Sequence, residues 1–319
     1  MTLSKPIALD LPSTDPEYWL QHALGRLVTN PALLERTLQA GVQTTLAGLP
    51  ESTLTLLSLM LHRQTHRFQL MAKILDERLL KNVLRFLPLT AAITSQEILW
   101  QRWNSFRQAK EGIEWQDHRS CAMAFCNNTL VQPGLIDVDD SHAVDVMRYE
   151  YTVLRVDDRV RRLPPVIVAD VIDEVSASYP ALVTACETVH FNWNISKEVL
   201  ALRTSLTGYR PKTSNLYPHP DSEISKASEP GETLLFYASW QDSQVRILRV
   251  DPSMLLLVSY CDGQTPIVNL PRQLRQAGYP PQELESLGNA LQKLQRIGLL
   301  RLFADPAVAR TTFLSQELR

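Results

Sequence analysis

Residues 211–230, PKTSNLYPHPDSEISKASEP, hold four prolines and four serines with few apolar anchors, and the hydrophobic period of the chain differs on its two sides. Such a stretch continues neither a helix nor an inner strand, because each proline fixes φ and removes a backbone donor. It predicts a linker or a loosely held crossover. The fold has to be built from the residues on either side of it.

The N-terminal side is helical in period. In DPEYWLQHALGRLVTN, Asp15 can cap a helix that opens with Pro16 and carries Trp19, Leu20, Ala23, Leu24 and Leu27 on one stripe. Further helices are predicted from Pro31, over TLTLLSLMLHRQTHRFQLMAKIL, from about Asp76, and after the break at Pro88 over SQEILWQRWNSFRQ with Ser95 as cap. HAVDVMRYEYTVLRV places Val144, Met147, Tyr151 and Leu154 at helical spacing. PPVIVADVIDEV and YPALVTACETVHFNWNISKEVLALRTSL come next, less regular but poor in turn signals until Ile195. Residues 1–210 thus read as one mostly helical domain.

After the linker the period changes. ETLLFYASW and QVRILRV are strand-like runs separated by QDS, which predicts a hairpin. Two helices then flank a Cys261-Asp262-Gly263 turn, the first opening at Asp251–Pro252. A last helix sets Leu284, Leu287, Leu291 and Leu294 on one face. The expected fold is α+β: a mostly helical N-terminal domain, a linker at 211–230, and a small winged-helix-like domain (hairpin plus three helices) at 231–319.

Several function classes are disfavoured at this level. With 319 residues, 45% of them hydrophobic, the chain can build two or three cores. Its net charge of -2 offers no broad field for nucleic acid, although local basic patches remain open. No apolar run approaches the length of a membrane span. The start, MTLSKPIALDLPSTD, lacks the apolar core of a secretory signal, and four cysteines do not make a disulfide framework. A cytoplasmic protein is expected.

The tail resembles the peptide chaperone of pyrroloquinoline quinone biosynthesis and related precursor-recognition domains of ribosomally made, modified peptides. The residues that carry this are Tyr260-Cys261-Asp262-Gly263 at the end of a first helix and Pro266 to Ala277 for a second. The third is Leu291-Gln292-Lys293-Leu294-Gln295-Arg296-Ile297-Gly298-Leu299-Leu300, ending in a Leu-x-x-Leu-x-x-x-Gly-Leu pattern. Pro266 and Pro271 depart from a smooth second helix, which should begin late. The match covers roughly a quarter of the chain. Separately, DVMRYEYTVLRV at 145–156 looks like the Arg-Tyr/Leu-Glu-Trp/Tyr signature of the helical partners of multinuclear non-haem iron oxygenases, including those of methanobactin maturation and 3-thiaglutamate synthesis.

These resemblances imply an accessory subunit in a heterodimer with an iron-dependent oxygenase. The partner would hold the iron, with oxygen as oxidant, and this chain would carry no cofactor or catalytic residue of its own. It would present the C-terminal residue of a precursor peptide, a cysteine, to the partner's irons. The implied peptide-binding residues are Val245, Arg246, Ile247, Leu248 and Arg249 on a strand and Leu291, Lys293 and Leu294 on the last helix, with Arg246 and Arg249 pairing acidic leader residues. The same leucines can equally be core, and the arginines ordinary solvated side chains. Arg148, Tyr149, Glu150 and Tyr151 are the implied partner-docking residues.

Two other classes stay open. A self-sufficient metal enzyme could use His62 and His66, four apart on a helix, or the cluster Asp137, Asp139, Asp140, His142 and Asp145. The bland accounts are a polar helix face for the first and a turn with a helix cap for the second. Cys121 and Cys126, separated by four residues, suit buried thiols better than a metal or redox pair. A winged-helix DNA binder would have to rely on Lys293 and Arg296, a thin phosphate footprint.

Overall fold

The computed structural model describes residues 15–109, 117–131, 141–162, 178–182, 185–207 and 231–309. The linker at 211–230, the segment PPVIVADVIDEV, and Asp137, Asp139 and Asp140 lie outside these. A largely helical N-terminal region is followed by a region that mixes strands and helices, and the chain divides into two compact units, Met1–Val138 with Pro211–Pro220 and Asp139–Arg210 with Asp221–Arg319.

The first unit contains α1 (Pro16–Thr29), α2 (Pro31–Ala40), α3 (Val42–Thr45), α4 (Glu51–Leu84), α5 (Pro88–Ile93), α6 (Gln96–Ala109) and α7 (His118–Val131). Asp15 caps α1 by accepting the Glu17 N–H, and Ser95 Oγ accepts the Ile98 N–H at the start of α6, as their positions predict. Trp19, Ala23 and Leu27 of α1 pack with Leu33 of α2 and with Leu57, Leu61 and Phe68 of α4. Trp103, Phe106 and Phe125 meet tilted or edge-on, with ring centroids 5.3 to 5.6 Å apart.

The helix expected to begin at Asp76 does not exist as a separate element. α4 continues through that residue to Leu84. Asp76 is buried, accepts the Trp103 Nε1–H at 2.8 Å and pairs with Arg107 at 3.1 Å. An aspartate that reads as a start signal is in fact the buried acceptor for two side chains of α6. Arg107 also donates to the Thr29 carbonyl at the end of α1. Burial holds the Asp76 carboxyl above its ordinary range, and Arg107 only partly offsets this.

The second unit contains α8 (Ser141–Arg162), β1 (Tyr179–Leu182), β2 (Cys186–Phe191), α9 (Ile195–Thr207), β3 (Glu232–Ala238), β4 (Val245–Arg249), α10 (Pro252–Ser259), α11 (Leu270–Gln276), α12 (Pro281–Leu284), α13 (Leu287–Arg296) and β5 (Leu300–Phe303). The expected domain boundary at 210 is therefore misplaced. Residues 141–207 belong with the C-terminal strands, because β2 pairs with β3 along its whole length and β1 pairs with β5. Much of what reads as irregular helix before Ile195 is strand. Thr188, Val189 and Phe191 favour a pleated surface, and Pro180 sits on an edge strand, where its missing donor costs little.

The three-stranded sheet has the order β2-β3-β4, all antiparallel. The predicted hairpin is β3–β4, with Leu235 opposite Leu248 and Tyr237 opposite Arg246. Phe236 faces α8, where the Tyr149 ring meets it edge-on at 5.4 Å. Leu235, Tyr237 and Leu248 face the other way, into a core shared with Leu257, Leu270, Leu274, Leu291 and Leu294. The second of the expected C-terminal helices does begin late: a 3-10 turn at Ile267–Asn269 precedes α11.

The Cys-Asp-Gly turn is a clamp. Cys261 is fully buried and its carbonyl accepts the Leu182 N–H at 3.0 Å. Gly263 donates to the Pro180 carbonyl at 2.9 Å, and the Asp262 side chain accepts the Gln264 N–H. Gly263 has φ of +75°, and a Cβ there would lie 2.7 Å from the Ala309 backbone, so glycine is required twice over. The motif ties the end of α10 to β1.

Candidate functional site

The outer edge of β4 is the candidate site. The Val250 N–H donates to the Thr233 carbonyl at 3.0 Å and the Ser239 N–H to the Gln244 carbonyl at 2.9 Å. These two bonds turn the even-numbered residues of β4 toward β3. By antiparallel alternation, the N–H and C=O of Val245, Ile247 and Arg249 point away from the sheet. Among the described residues no strand pairs with that edge. Val245 and Ile247 are half-buried and Arg249 is exposed.

The loop of the hairpin fixes this edge relative to α13. Trp240 donates its backbone N–H to Gly298 at 3.0 Å and its indole N–H to the Leu300 carbonyl at 3.3 Å. Gln241 reaches the Arg296 carbonyl. α13 ends in a left-handed glycine, Gly298 at φ +79°, with Leu299 N–H returning to the Leu294 carbonyl and Gly298 N–H to that of Gln295. Ser239 stands where a Cβ on residue 298 would go. The Gly-Leu step at the end of the last helix thus closes that helix and seats the hairpin loop.

The implied peptide-binding residues divide by role. Leu291 and Leu294 are 0% and 2% exposed and belong to the core beneath the sheet, so they support the edge from below and do not line a groove. Leu248 packs against the same core. Arg246 is engaged: it donates to the Ile297 carbonyl at 3.1 Å and pairs with Asp242 at 2.7 Å, which sets a cation at the carboxyl end of α13. Asp242 is held below its ordinary carboxylate range, first by the Gln244 N–H and then by Arg246. The expected pairing of Arg246 with acidic leader residues therefore gives way to this contact. Arg249 keeps a mostly exposed side chain, 3.7 Å from Glu232, and Lys293 is exposed on α13. Val245, Ile247, Arg249 and Lys293 are the members of the set that remain accessible.

The implied docking signature is largely internal. Tyr149 and Glu150 are 4% and 6% exposed on α8. The first lies against Phe236, so it holds the helix to the sheet and offers no surface to a partner. Arg148 pairs with buried Asp145 at 3.1 Å, and Asp145 also accepts the Asn192 N–H at 3.0 Å. Tyr151 is half-buried beneath the Arg155 guanidinium, 5.4 Å from its ring centroid. The helical spacing read from the sequence is right, but an Arg-Tyr-Glu-Tyr string does not reveal which face the sheet covers.

Among the described residues the alternative chemical sites do not assemble, and Asp137, Asp139 and Asp140 of the acidic cluster lie outside them. α4 departs from helical geometry at Gln64, between His62 and His66, and both histidines are exposed. His142 pairs with Glu198 of α9, and Asp145 serves the end of β2, as above. Among the described residues no three His, Cys, Asp or Glu side chains converge on a metal-sized site. Cys121 and Cys126 are both buried and neither is in a disulfide, and burial pushes Cys121 up to about 12. Cys261 is likewise pushed up to about 12 and donates to the Leu257 carbonyl. No thiol so protonated is a ready nucleophile or ligand. No helix among the described residues is long and apolar enough to cross a membrane.

No protein-family model matches the chain, and no curated protein matches it either.

Proposed function

We propose that this chain is an accessory subunit that binds a ribosomally made precursor peptide at the outer edge of β4 and presents the peptide's C-terminal cysteine to a partner iron-dependent oxygenase. The observation that carries the peptide-binding part is the open β4 edge. Val245, Ile247 and Arg249 each offer one outward donor and one acceptor to an added strand. Main-chain bonds of this kind tolerate sequence variation in the ligand, and they fix its register in steps of two residues. Alternate side chains of the added strand would fall on the two faces flanking β4, with Arg249 and Lys293 available to acidic positions. The oxygenase and cysteine parts rest on the resemblances alone. Tethering would raise the effective concentration of a small reacting residue that offers little binding energy of its own.

The test is calorimetric titration of the chain with any short peptide encoded beside its gene, alone and with any co-encoded iron oxygenase, measuring iron in each sample. Peptide binding by the chain alone, with iron only when the oxygenase is present, supports the reading. An Ile247→Pro variant localises it. The lost N–H points outward, so pairing with β3 survives, while peptide affinity should fall roughly tenfold or more through the lost edge bond. Metal retention and turnover by the chain alone would exclude an accessory role.

A further inference from the structure

The exposed side of α4 carries a pattern that neither the peptide edge nor the fold accounts for. Arg67, Leu70, Met71, Ile74, Arg78, Lys81 and Arg85 fall within about 100° of arc on one side of the helix, at steps of three and four residues. All are exposed, with Leu70, Met71 and Ile74 at 50%, 48% and 54%. The opposite side, with Phe68, Ala72, Asp76, Leu80 and Val83, is buried. None of the four cations in the stripe forms an ion pair among the described residues. The stripe is thus an apolar centre bracketed by unpaired cations at both ends, about 27 Å long at the usual helical rise.

This arrangement selects among occupants. A second copy centred on the same apolar triplet would bring cations against cations in either direction. A helix that lies in a membrane interface has an apolar face running its whole length, with cations along the sides. Here the cations share the apolar line, so sinking Leu70 and Ile74 into acyl chains would drag Arg67 and Arg78 with them. A phosphate backbone would meet the ends but leave three apolar side chains against its charge. The surface that satisfies every position has acidic ends and an apolar middle.

We propose that the exposed face from Arg67 of α4 to Arg85 at its C-terminal cap docks an amphipathic helix of a partner protein whose apolar centre is flanked at both ends by aspartates and glutamates. The stripe belongs to a different compact unit from β4, and the proposal does not rest on peptide binding there.

The experiment uses the full chain and a fluorescein-labelled synthetic helix of about five turns, with leucines at the central contact positions and glutamates at both ends. A second peptide replaces those glutamates with lysines. Anisotropy should show saturable binding of the acidic peptide, weakening as salt is raised, and no binding of the basic one. Ile74→Asp, and separately Arg78→Glu with Lys81→Glu, should each weaken binding at least tenfold. Both lie on an exposed face, and circular dichroism melts should match the parent protein, which separates lost docking from lost folding. Absence of saturable binding overturns the proposal. So does equal binding of the basic peptide, affinity unchanged in both variants, or preferential binding of phosphatidylserine vesicles or duplex DNA over the acidic peptide.

Discussion

The two long helices of this protein treat their charges in opposite ways. On α8, Arg148, Arg155, Arg159, Arg161 and Arg162 all meet carboxylates, two of them converging on Glu187 of β2. On α4, Arg67, Arg78, Lys81 and Arg85 meet none among the described residues, and apolar side chains stand exposed between them. Sequence composition hides this difference, since both helices are rich in arginine. A helix whose cations are already satisfied within its own unit is positioned by them. A helix whose cations are left over has charge to offer something else.

On their buried sides the two helices are alike, and both should be costly to disturb. Asp76→Asn strands Arg107 in the interior of the first unit and should destabilise it by about 3 kcal/mol, read as a lowered urea midpoint. Tyr149→Ala removes the ring packed on Phe236 and should cost the second unit a comparable amount, about 3 kcal/mol. If either variant melted like the parent, that helix would not be anchored through these contacts.

On the exposed sides the helices should part company. Glu187→Gln takes away the shared acceptor of Arg155 and Arg159, and because both arginines are more than a third exposed the expected loss is only about 0.5–1 kcal/mol. Lys81→Ala on α4 should leave stability within about 0.5 kcal/mol of the parent, having no partner to lose. Equal losses from the two would erase the distinction.

The smallest effect concerns the hairpin that stands beside α8. Asp242 is depressed below the ordinary value of 3.8, so its contribution to the folded hairpin is fully present above that pH and is lost as the pH falls through the lower folded value. An NMR titration of the Gln244 amide should accordingly show its midpoint below 3.8. A midpoint above that value would mean the loop is not closed by this carboxylate.

Much of this was legible in the sequence where a signal is local. Asp15, Pro16, Ser95, Asp251 and Pro252 mark helix starts by the chemistry of unpaired backbone groups, and each does so here. The hairpin followed from its apolar runs and the short polar break. What could not be read locally was partnership across distance. β2 is held by β3, some forty residues on, and nothing within CETVHF announces that pairing. Asp76 looks like a cap until Trp103 and Arg107 are brought to it. At the candidate site, Leu291 and Leu294 carry the right period for a groove and for a core, and only the sheet above them decides for core. Arg246 resembles a free cation until the end of α13 arrives beside it.

The pairing of β1 with β5 also has a consequence in time. Tyr179 emerges from the ribosome about 120 residues before Phe303, its partner in the register, and the Cys-Asp-Gly clamp that grips β1 is made in between. During synthesis β1 and β2 must wait as unpaired edges, and loop closure over so long a span is slow. The second unit therefore cannot finish folding until its last strand has been delivered, and a fragment started at residue 231 would leave β3 bare on the side that β2 should cover.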